Sequence, residues 1–260
     1  MSSSPSSASP ELSVVVPARD EEPNLPPLVE EVGRVLLGAG VDAELIVVDD
    51  GSSDGSVARL ASLAAGAPFL KPRRLGAPSG KSAALRAGIL SARGRFVATL
   101  DADLQNDPAD LVRLLPILRG GEADLVQGIR VRRRDSLAYR AASAVGRAAR
   151  RLLLGDPTRD TGCATRLMTA SLARRLPLEL RGLHRFLPFV ARRLGARVVE
   201  VPVGHRPRLH GRPHYGLLSR AIPGLVDCLG VRWYVSRLTP TEEPAAGAVR
   251  PDGAPSGGGA

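Results

Sequence analysis

The sequence predicts an α/β fold in which helices cover both faces of a mainly parallel sheet. Three observations carry that expectation. Short apolar, β-prone runs alternate with stretches of helical spacing along the first 130 residues. The lengths of both suit parallel strands joined by helical crossovers. Acidic residues gather just after the strand runs, as Asp20/Glu21, Asp49/Asp50/Asp54 and Asp101/Asp103. In open parallel sheets that edge, outside the carboxyl ends of the strands, is where ligands bind.

Taken in order, Leu12–Val16 reads as the first strand, ending in Pro17-Ala18-Arg19-Asp20-Glu21, and Leu25–Leu37 as a helix. Glu44–Val48 is a second strand, closed by the turn-rich run Asp49-Asp50-Gly51-Ser52-Ser53-Asp54-Gly55 and followed by a helix over Ser56–Ala65. A short strand is expected at Pro68–Lys71. The loop Gly76 to Lys81 then opens a helix over Ser82–Ala92. Phe96–Leu100 is the central strand, and Pro108 is placed to start the helix Pro108–Leu118. Ala123–Gln127 is the next strand. It leads to an arginine-dense stretch (Arg130, Arg132, Arg133, Arg134) and a long Ala/Arg helix ending at Leu154.

The second half is less regular. Asp160–Leu167 reads as a loop entering a short strand, Phe186–Leu194 as a helix and Arg197–Val203 as a strand, with a basic loop over His205–Tyr215. Leu217, Leu218, Ile222, Leu225, Leu229 and Trp233 recur at helical spacing, so 217–238 is expected to be an amphipathic helix, kinked or restarted at Pro223. It suits either packing on the body of the protein or lying on a membrane surface. Residues 1–10 and 239–260 are Ser/Pro- and Pro/Gly/Ala-rich and read as disordered tails around a folded domain at 11–216.

Composition narrows the function classes. The formal charge of +10 implies anionic partners: phosphorylated ligands, anionic lipid or nucleic acid. Lys71 and Lys81 are the only lysines, so that charge is nearly all arginine. Aromatic residues make up 3% of the chain, which leaves few platforms for stacking bases. Two cysteines, Cys163 and Cys228, form no disulfide framework and fit a reducing compartment. Neither a signal peptide nor an uninterrupted apolar membrane span is read from the sequence, so a soluble or peripheral cytoplasmic protein is expected.

The chemistry centres on Asp101-Ala102-Asp103. If the strand continues, residues i and i+2 share a side, so both carboxylates face one point. With Gln105 they make a set of hard oxygen ligands suited to Mg²⁺ or Mn²⁺, a metal that completes its shell with substrate phosphate. The bland alternative is an acidic turn that caps the next helix. Gly80-Lys81 at a helix start directs backbone N–H groups and an ammonium towards phosphate. It is one residue short of a P-loop, because Gly76 stands too close to Gly80.

The segments LSVVVPARDEEPNL, ELIVVDDGSSDGS, GKSAALRAGI and FVATLDADLQNDPADL resemble the successive motifs of family 2 glycosyltransferases. DADLQNDP, GIRVRRRDS, DTGCATRL and HRPRLHGRPHYG are similar to the polyprenyl-phosphate branch, which holds dolichol-phosphate mannosyltransferase and bacterial undecaprenyl-phosphate sugar transferases. The resemblance covers about residues 12–216. It implies a nucleotide-diphospho-sugar transferase (GT-A-like) fold and an inverting transfer of one sugar from a nucleotide diphosphate sugar to a polyprenyl phosphate of the undecaprenyl or dolichyl type. A divalent metal, Mg²⁺ or Mn²⁺, would assist.

The same resemblance implies roles. Pro17, Ala18 and Glu21 line the nucleotide pocket, Asp50 accepts from the base, and Lys81 meets phosphate. Asp101, Asp103 and Gln105 hold the metal. Arg130, Arg134, Arg206 and Arg212 grip the acceptor and the diphosphate, since guanidinium forks bind such anions bidentately. Asp160 lies near the reaction centre, to orient an arginine or to act as base for a hydroxyl acceptor. Arg19-Asp20 replaces the usual tyrosine-asparagine, and His214 stands where relatives often have lysine. The absence of a Q-x-x-R-W signature argues against a processive synthase. The expected location is peripheral, on the cytoplasmic face of the cell membrane, with neither nucleic acid nor a protein partner called for. Transfer to a hydroxyl acceptor, a non-catalytic nucleotide-sugar sensor and a nucleic-acid-binding protein are the competing readings.

Overall fold

The computed structural model of the chain describes residues 9–131, 137–208 and 218–238. Seven strands, β1 (Leu12–Ala18), β2 (Ala43–Asp49), β3 (Leu70–Arg74), β4 (Phe96–Thr99), β5 (Leu125–Arg130), β6 (Arg166–Thr169) and β7 (Val198–Val203), form one sheet in the order β3-β2-β1-β4-β6-β5-β7. Every pairing is parallel except those of β6, which runs antiparallel to both β4 and β5. The helices are α1 (Leu25–Gly38), α2 (Ser56–Gly66), α3 (Lys81–Ser91), α4 (Pro108–Arg119), α5 (Leu137–Leu154), α6 (Ala170–Arg175), α7 (Leu187–Arg193) and α8 (Leu218–Ser236).

The strand period of two divides the core between the faces. Val14 and Val16 of β1 point into one cluster with Leu28, Val32 and Leu36 of α1 and Leu111, Leu114 and Leu118 of α4. Val15 points the other way, to Leu85 and Ile89 of α3 and Leu187 and Val190 of α7. Both faces are therefore covered, as the near-continuous apolar strands required.

Three boundaries differ from the sequence expectation. β3 lies at 70–74, later than the run at Pro68–Lys71, because its register is set by Leu45 opposite Leu70 on β2. It takes Pro72 into the strand, which an edge position tolerates. β6 is only four residues long, too short to announce its direction, and its antiparallel insertion is the exception to the parallel pattern. The helix does not restart at Pro223: α8 is one helix through that position, where proline removes a single ladder bond near the helix start.

α8 packs on the body of the protein through Cys228 and Val231, both buried with Leu154 of α5. Arg232 Nη1 donates to Leu153 O (3.2 Å), and Arg185 pairs with Asp227 (3.0 Å). Among the described residues no helix is long and apolar enough to cross a membrane.

Candidate active site at the carboxyl edge of the sheet

The ends of β1, β2 and β4 and the start of α3 converge on a cavity of about 450 Å³. Its lining includes Pro17 and Ala18 at the end of β1 and Glu21 beyond it, Asp50 after β2, Gly80 and Lys81 at α3, Asp101 and Asp103 after β4, and Arg208.

The first two loops are stitched together by their own turn residues. Asp20 adopts a left-handed conformation (φ 53°), and its Oδ1 accepts from the Ser53 backbone N–H (2.7 Å) and Oγ (3.1 Å). The Asp20 N–H donates to Ser52 Oγ (2.9 Å) and the Glu21 N–H to Ser56 Oγ (3.1 Å). The Ser53 N–H is the main cause holding the Asp20 carboxyl below its ordinary range.

Asp49 and Asp50 divide the labour. Asp49, 1% exposed, turns the chain by accepting from the Ser52 N–H (3.3 Å). Asp50 faces the cavity, and its Oδ1 accepts from the N–H groups of Ser79 (2.7 Å) and Gly80 (3.0 Å), fixing the start of α3 to the end of β2. Gly80 sits at φ 92°, ψ 164°, a conformation essentially reserved to glycine.

Lys81 then points at Asp101 and pairs with it. Burial pushes the Asp101 carboxyl up, but the Lys81 ammonium, with the Arg166 guanidinium nearby, outweighs that and holds it below the usual carboxylate range. His184, a residue the sequence did not single out, backs this turn: Ser82 Oγ lies 2.9 Å from its Nδ1 and accepts from its N–H (3.3 Å). Burial and the cations of Lys81, Arg185 and Arg166 push its pKa down to about 2, so the imidazole is neutral at physiological pH.

Asp101 and Asp103 share the cavity, though not by strand alternation. β4 ends at Thr99, and residues 101–104 form a turn with Leu104 in the left-handed region (φ 61°). The turn is pinned by Asn106, whose Oδ1 accepts from the Asp101 N–H (3.1 Å) and whose Nδ2 donates to Thr165 Oγ1 (3.0 Å). Helix capping is left to Asp107, which accepts from the Ala109 N–H (2.9 Å), so the two cavity aspartates are not spent on it.

The arginines and Gln105 are where side-chain placement departs most from expectation. Arg208 reaches the cavity and donates to Asp103 Oδ2 (2.7 Å). Arg206 turns away to Glu31 (2.7 Å) and Asp107, beside a second cavity next to α1. Gln105 Nε2 donates to Arg206 O (3.3 Å) and the Arg206 N–H to Gln105 O (2.9 Å), so Gln105 tethers the late basic segment and does not line the cavity. Nothing in HRPRLHGRP marks Arg208 rather than Arg206 as the one to enter. Arg134 and Arg212 lie outside the described residues, as do His214 and both tails beyond residues 9 and 238.

Arg130, at the end of β5, is gripped by Asp160. Nε and Nη2 donate to Oδ2 and Oδ1 (2.8 Å each), and the Gly162 N–H donates to Oδ1 (3.1 Å). Burial pulls the Arg130 guanidinium down, but its bonds to Asp160 raise it above its ordinary value. Gly162 allows this pair, since a Cβ there would lie 2.6 Å from Arg130 Nη2.

The donor set fits a hard divalent cation. Asp101 and Asp103 are two carboxylates on one cavity, each neutralised here by a cation, Lys81 and Arg208. Among the described residues no group of three His, Cys, Asp or Glu is arranged to hold a metal alone. The two carboxylates suit an ion of the Mg²⁺ type, which takes one or two carboxylates and fills its shell from phosphate and water.

Residues 13–179 match the model of glycosyl transferase family 2. The chain is 37% identical over 235 residues to dodecaprenyl-phosphate galacturonate synthase of Rhizobium johnstonii, covering 86% of this chain and 67% of that protein. It is 34% identical to undecaprenyl-phosphate 4-deoxy-4-formamido-L-arabinose transferase of Aeromonas hydrophila, covering 84% and 67%. Among solved structures it is similar to glucosyl-3-phosphoglycerate synthase from Mycobacterium tuberculosis in complex with Mn²⁺, uridine-diphosphate-glucose and phosphoglyceric acid. That likeness has a TM-score of 0.63 and 26% identity, covering 85% of this chain and 80% of that one.

Proposed function

The chain belongs to glycosyl transferase family 2 and has its GT-A-type fold, and from that premise we propose that it moves a sugar from a nucleotide diphosphate sugar to a polyprenyl phosphate. The observation that carries the acceptor is the Arg130–Asp160 pair. Both Asp160 oxygens are engaged by the Arg130 fork and by the Gly162 N–H, so this carboxylate is poorly disposed to take a proton from a hydroxyl. A phosphate monoester needs no such base, because it is already ionised at neutral pH. It needs a fixed cation, which an oriented guanidinium supplies.

In this reading Asp50 receives the base, with Pro17, Ala18 and Glu21 forming the nucleotide wall. Asp101 and Asp103 hold Mg²⁺ or Mn²⁺, which when bound neutralises the departing diphosphate. Gln105 contributes by keeping the segment with Arg206 and Arg208 across the site. Lys81 and Arg208 exchange their carboxylate partners for diphosphate oxygens once the donor is seated. Arg130 aligns the acceptor phosphate, an oxygen of which bonds to the sugar's anomeric carbon as the bond to the nucleoside diphosphate breaks. The configuration inverts, and the leaving electrons rest on the diphosphate. Arg134 and Arg212 complete the anion grip.

The chain acts peripherally at the cytoplasmic membrane face. α8 turns Val226 (61% exposed), Leu229 (52%) and Trp233 (64%) outwards at spacings of three and four, and neighbouring α5 exposes Val145 and Leu152. A Trp233→Glu variant is expected to lose sedimentation with anionic vesicles.

The reading is tested with purified protein, Mg²⁺ or Mn²⁺, a panel of nucleotide diphosphate sugars and undecaprenyl phosphate in detergent, with Asp103→Ala as control. Metal-dependent lipid glycosylation lost in the control supports it. Donor cleavage without lipid product sinks the acceptor assignment. That outcome turns attention to hydroxyl acceptors.

A further inference from the structure

Beneath the Arg130–Asp160 pair lies a second arginine with a different environment. Arg166, the first residue of β6, is 2% exposed. Its Nε donates to Gln127 Oε1 (2.7 Å) and its Nη2 to Thr161 O (3.0 Å), both neutral acceptors. Among the described residues no carboxylate lies within 4.0 Å of it. Burying a guanidinium without a counter-ion is costly, and protein interiors ordinarily avoid it. Nearby Arg150 shows the ordinary solution: also buried, though at 8% exposed less completely, it is paired with Asp156 (2.8 Å) while it too holds Thr161, through Oγ1 (2.9 Å).

The partners of Arg166 all belong to one assembly. Gln127 Nε2 donates to Asp160 O (3.1 Å) and, more weakly, to Cys163 O (3.4 Å). Arg166 and Gln127 therefore take three carbonyls of the loop 160–163, the loop whose Asp160 fixes the Arg130 fork. The antiparallel entry of β6 makes this possible, because it sets Arg166 beside Gln127 in register at the carboxyl edge of the sheet. Asp101 and Asp160 are the anions whose field Arg166 feels, and each already has its own cation, Lys81 or Arg130. Among the described residues, the layer under the acceptor side thus carries one positive charge in excess.

We propose that Arg166, with Gln127, is the positioning residue of the acceptor phosphate. It sets the 160–163 loop and hence the Arg130 fork, and its unpaired charge favours an anion at that place. The inference rests on the acceptor reading above. It assigns no contact with substrate to Arg166, and no part in nucleotide binding, since its hydrogen bonds lie away from Asp50 and Glu21.

The test separates acceptor from donor. Wild type, Arg166→Met, Arg166→Lys and Gln127→Met are assayed for transfer to undecaprenyl phosphate and, by calorimetry, for uridine or guanosine diphosphate binding with Mn²⁺. Arg166→Met is expected to lower kcat/KM for the lipid about 10–100-fold, the scale typical of outer-shell partners, while nucleotide affinity stays within about twofold. Arg166→Lys recovers part of the loss by restoring the charge without the fork. Gln127→Met reproduces the split and carries the test should Arg166→Met fail to fold. Lipid kcat/KM left within about threefold of wild type, or nucleotide affinity falling in parallel, overturns the proposal. A wild type inactive on lipid removes the acceptor reading and this inference together, whereas an active wild type with unaffected variants removes the inference alone.

Discussion

The two halves of the sheet build their parts of the site by different means. On the donor side, β3-β2-β1-β4, short loops after parallel strands supply the groups, and the bonds that set them come from turn residues: Ser52, Ser53 and Ser56 to the 20–21 loop, and Ser79 and Gly80 to Asp50. On the acceptor side, β6-β5-β7, the groups are arginines held by other side chains, Asp160 for Arg130 and Gln127 for Arg166. The lesson is that backbone N–H groups and short turn side chains, meeting between neighbouring loops, suffice to present carboxylates and amides. A long guanidinium must be aimed by the side chains around it, because its own rotamers leave its head undetermined.

Substitutions can break this contrast or sharpen it. The largest effect is expected where both halves meet the diphosphate: Asp101→Asn should reduce transfer about 100–1000-fold, the scale of losing a charge-stabilising group at the reaction centre, measured as lipid-linked sugar at saturating donor. Next comes Arg130→Lys, which keeps the charge but cannot form the Asp160 fork. It should lower kcat/KM for the acceptor roughly tenfold or more, equivalent to about 1.4 kcal/mol, with nucleotide affinity unchanged. Equal losses of donor and acceptor binding would dissolve the division between the halves.

Gly80→Ala tests the donor side's dependence on backbone geometry. At φ 92°, ψ 164° a side chain is strained by about 1–3 kcal/mol. Denaturant unfolding should show that loss, together with weaker nucleoside diphosphate binding. The smallest effect concerns Asp20→Asn, which tolerates the left-handed conformation and keeps one acceptor, so it removes charge alone. Its destabilisation at pH 7 should be about 0.5–1 kcal/mol. The folded-state pKa of Asp20 is depressed, so the stabilisation is present above its ordinary value of 3.8 and lost as pH falls through the folded value. The gap between wild type and variant should therefore close below that pH in melting curves.

What could be read in advance follows the same division. Leu12–Val16, Glu44–Val48 and Phe96–Leu100 were legible as strands because burial on both faces leaves unbroken apolar runs, and Asp50, Lys81, Asp101 and Asp103 were legible because they sit within a few residues of strand or helix ends. Gln105 and Arg206 were less so. Each occupies a plausible motif position, yet the bond of Gln105 to Arg206 O and the pull of Glu31 and Asp107 on Arg206 draw them off the cavity. Arg208 and His184 carried no sequence signal, one being an arginine among many and the other a lone histidine before a short helix.

By itself, then, the sequence determined the alternation of strands and helices, the edge on which the chemistry lies and the identity of the carboxylates and lysine that line it, since hydrophobic periodicity and turn residues act over a few positions. Only the tertiary structure decided that β6 enters antiparallel between β4 and β5, that α8 runs unbroken through Pro223 onto α5, and which arginine meets which carboxylate. Those outcomes depend on contacts between residues far apart in the chain, where register, burial and the pairing of buried charge are settled together.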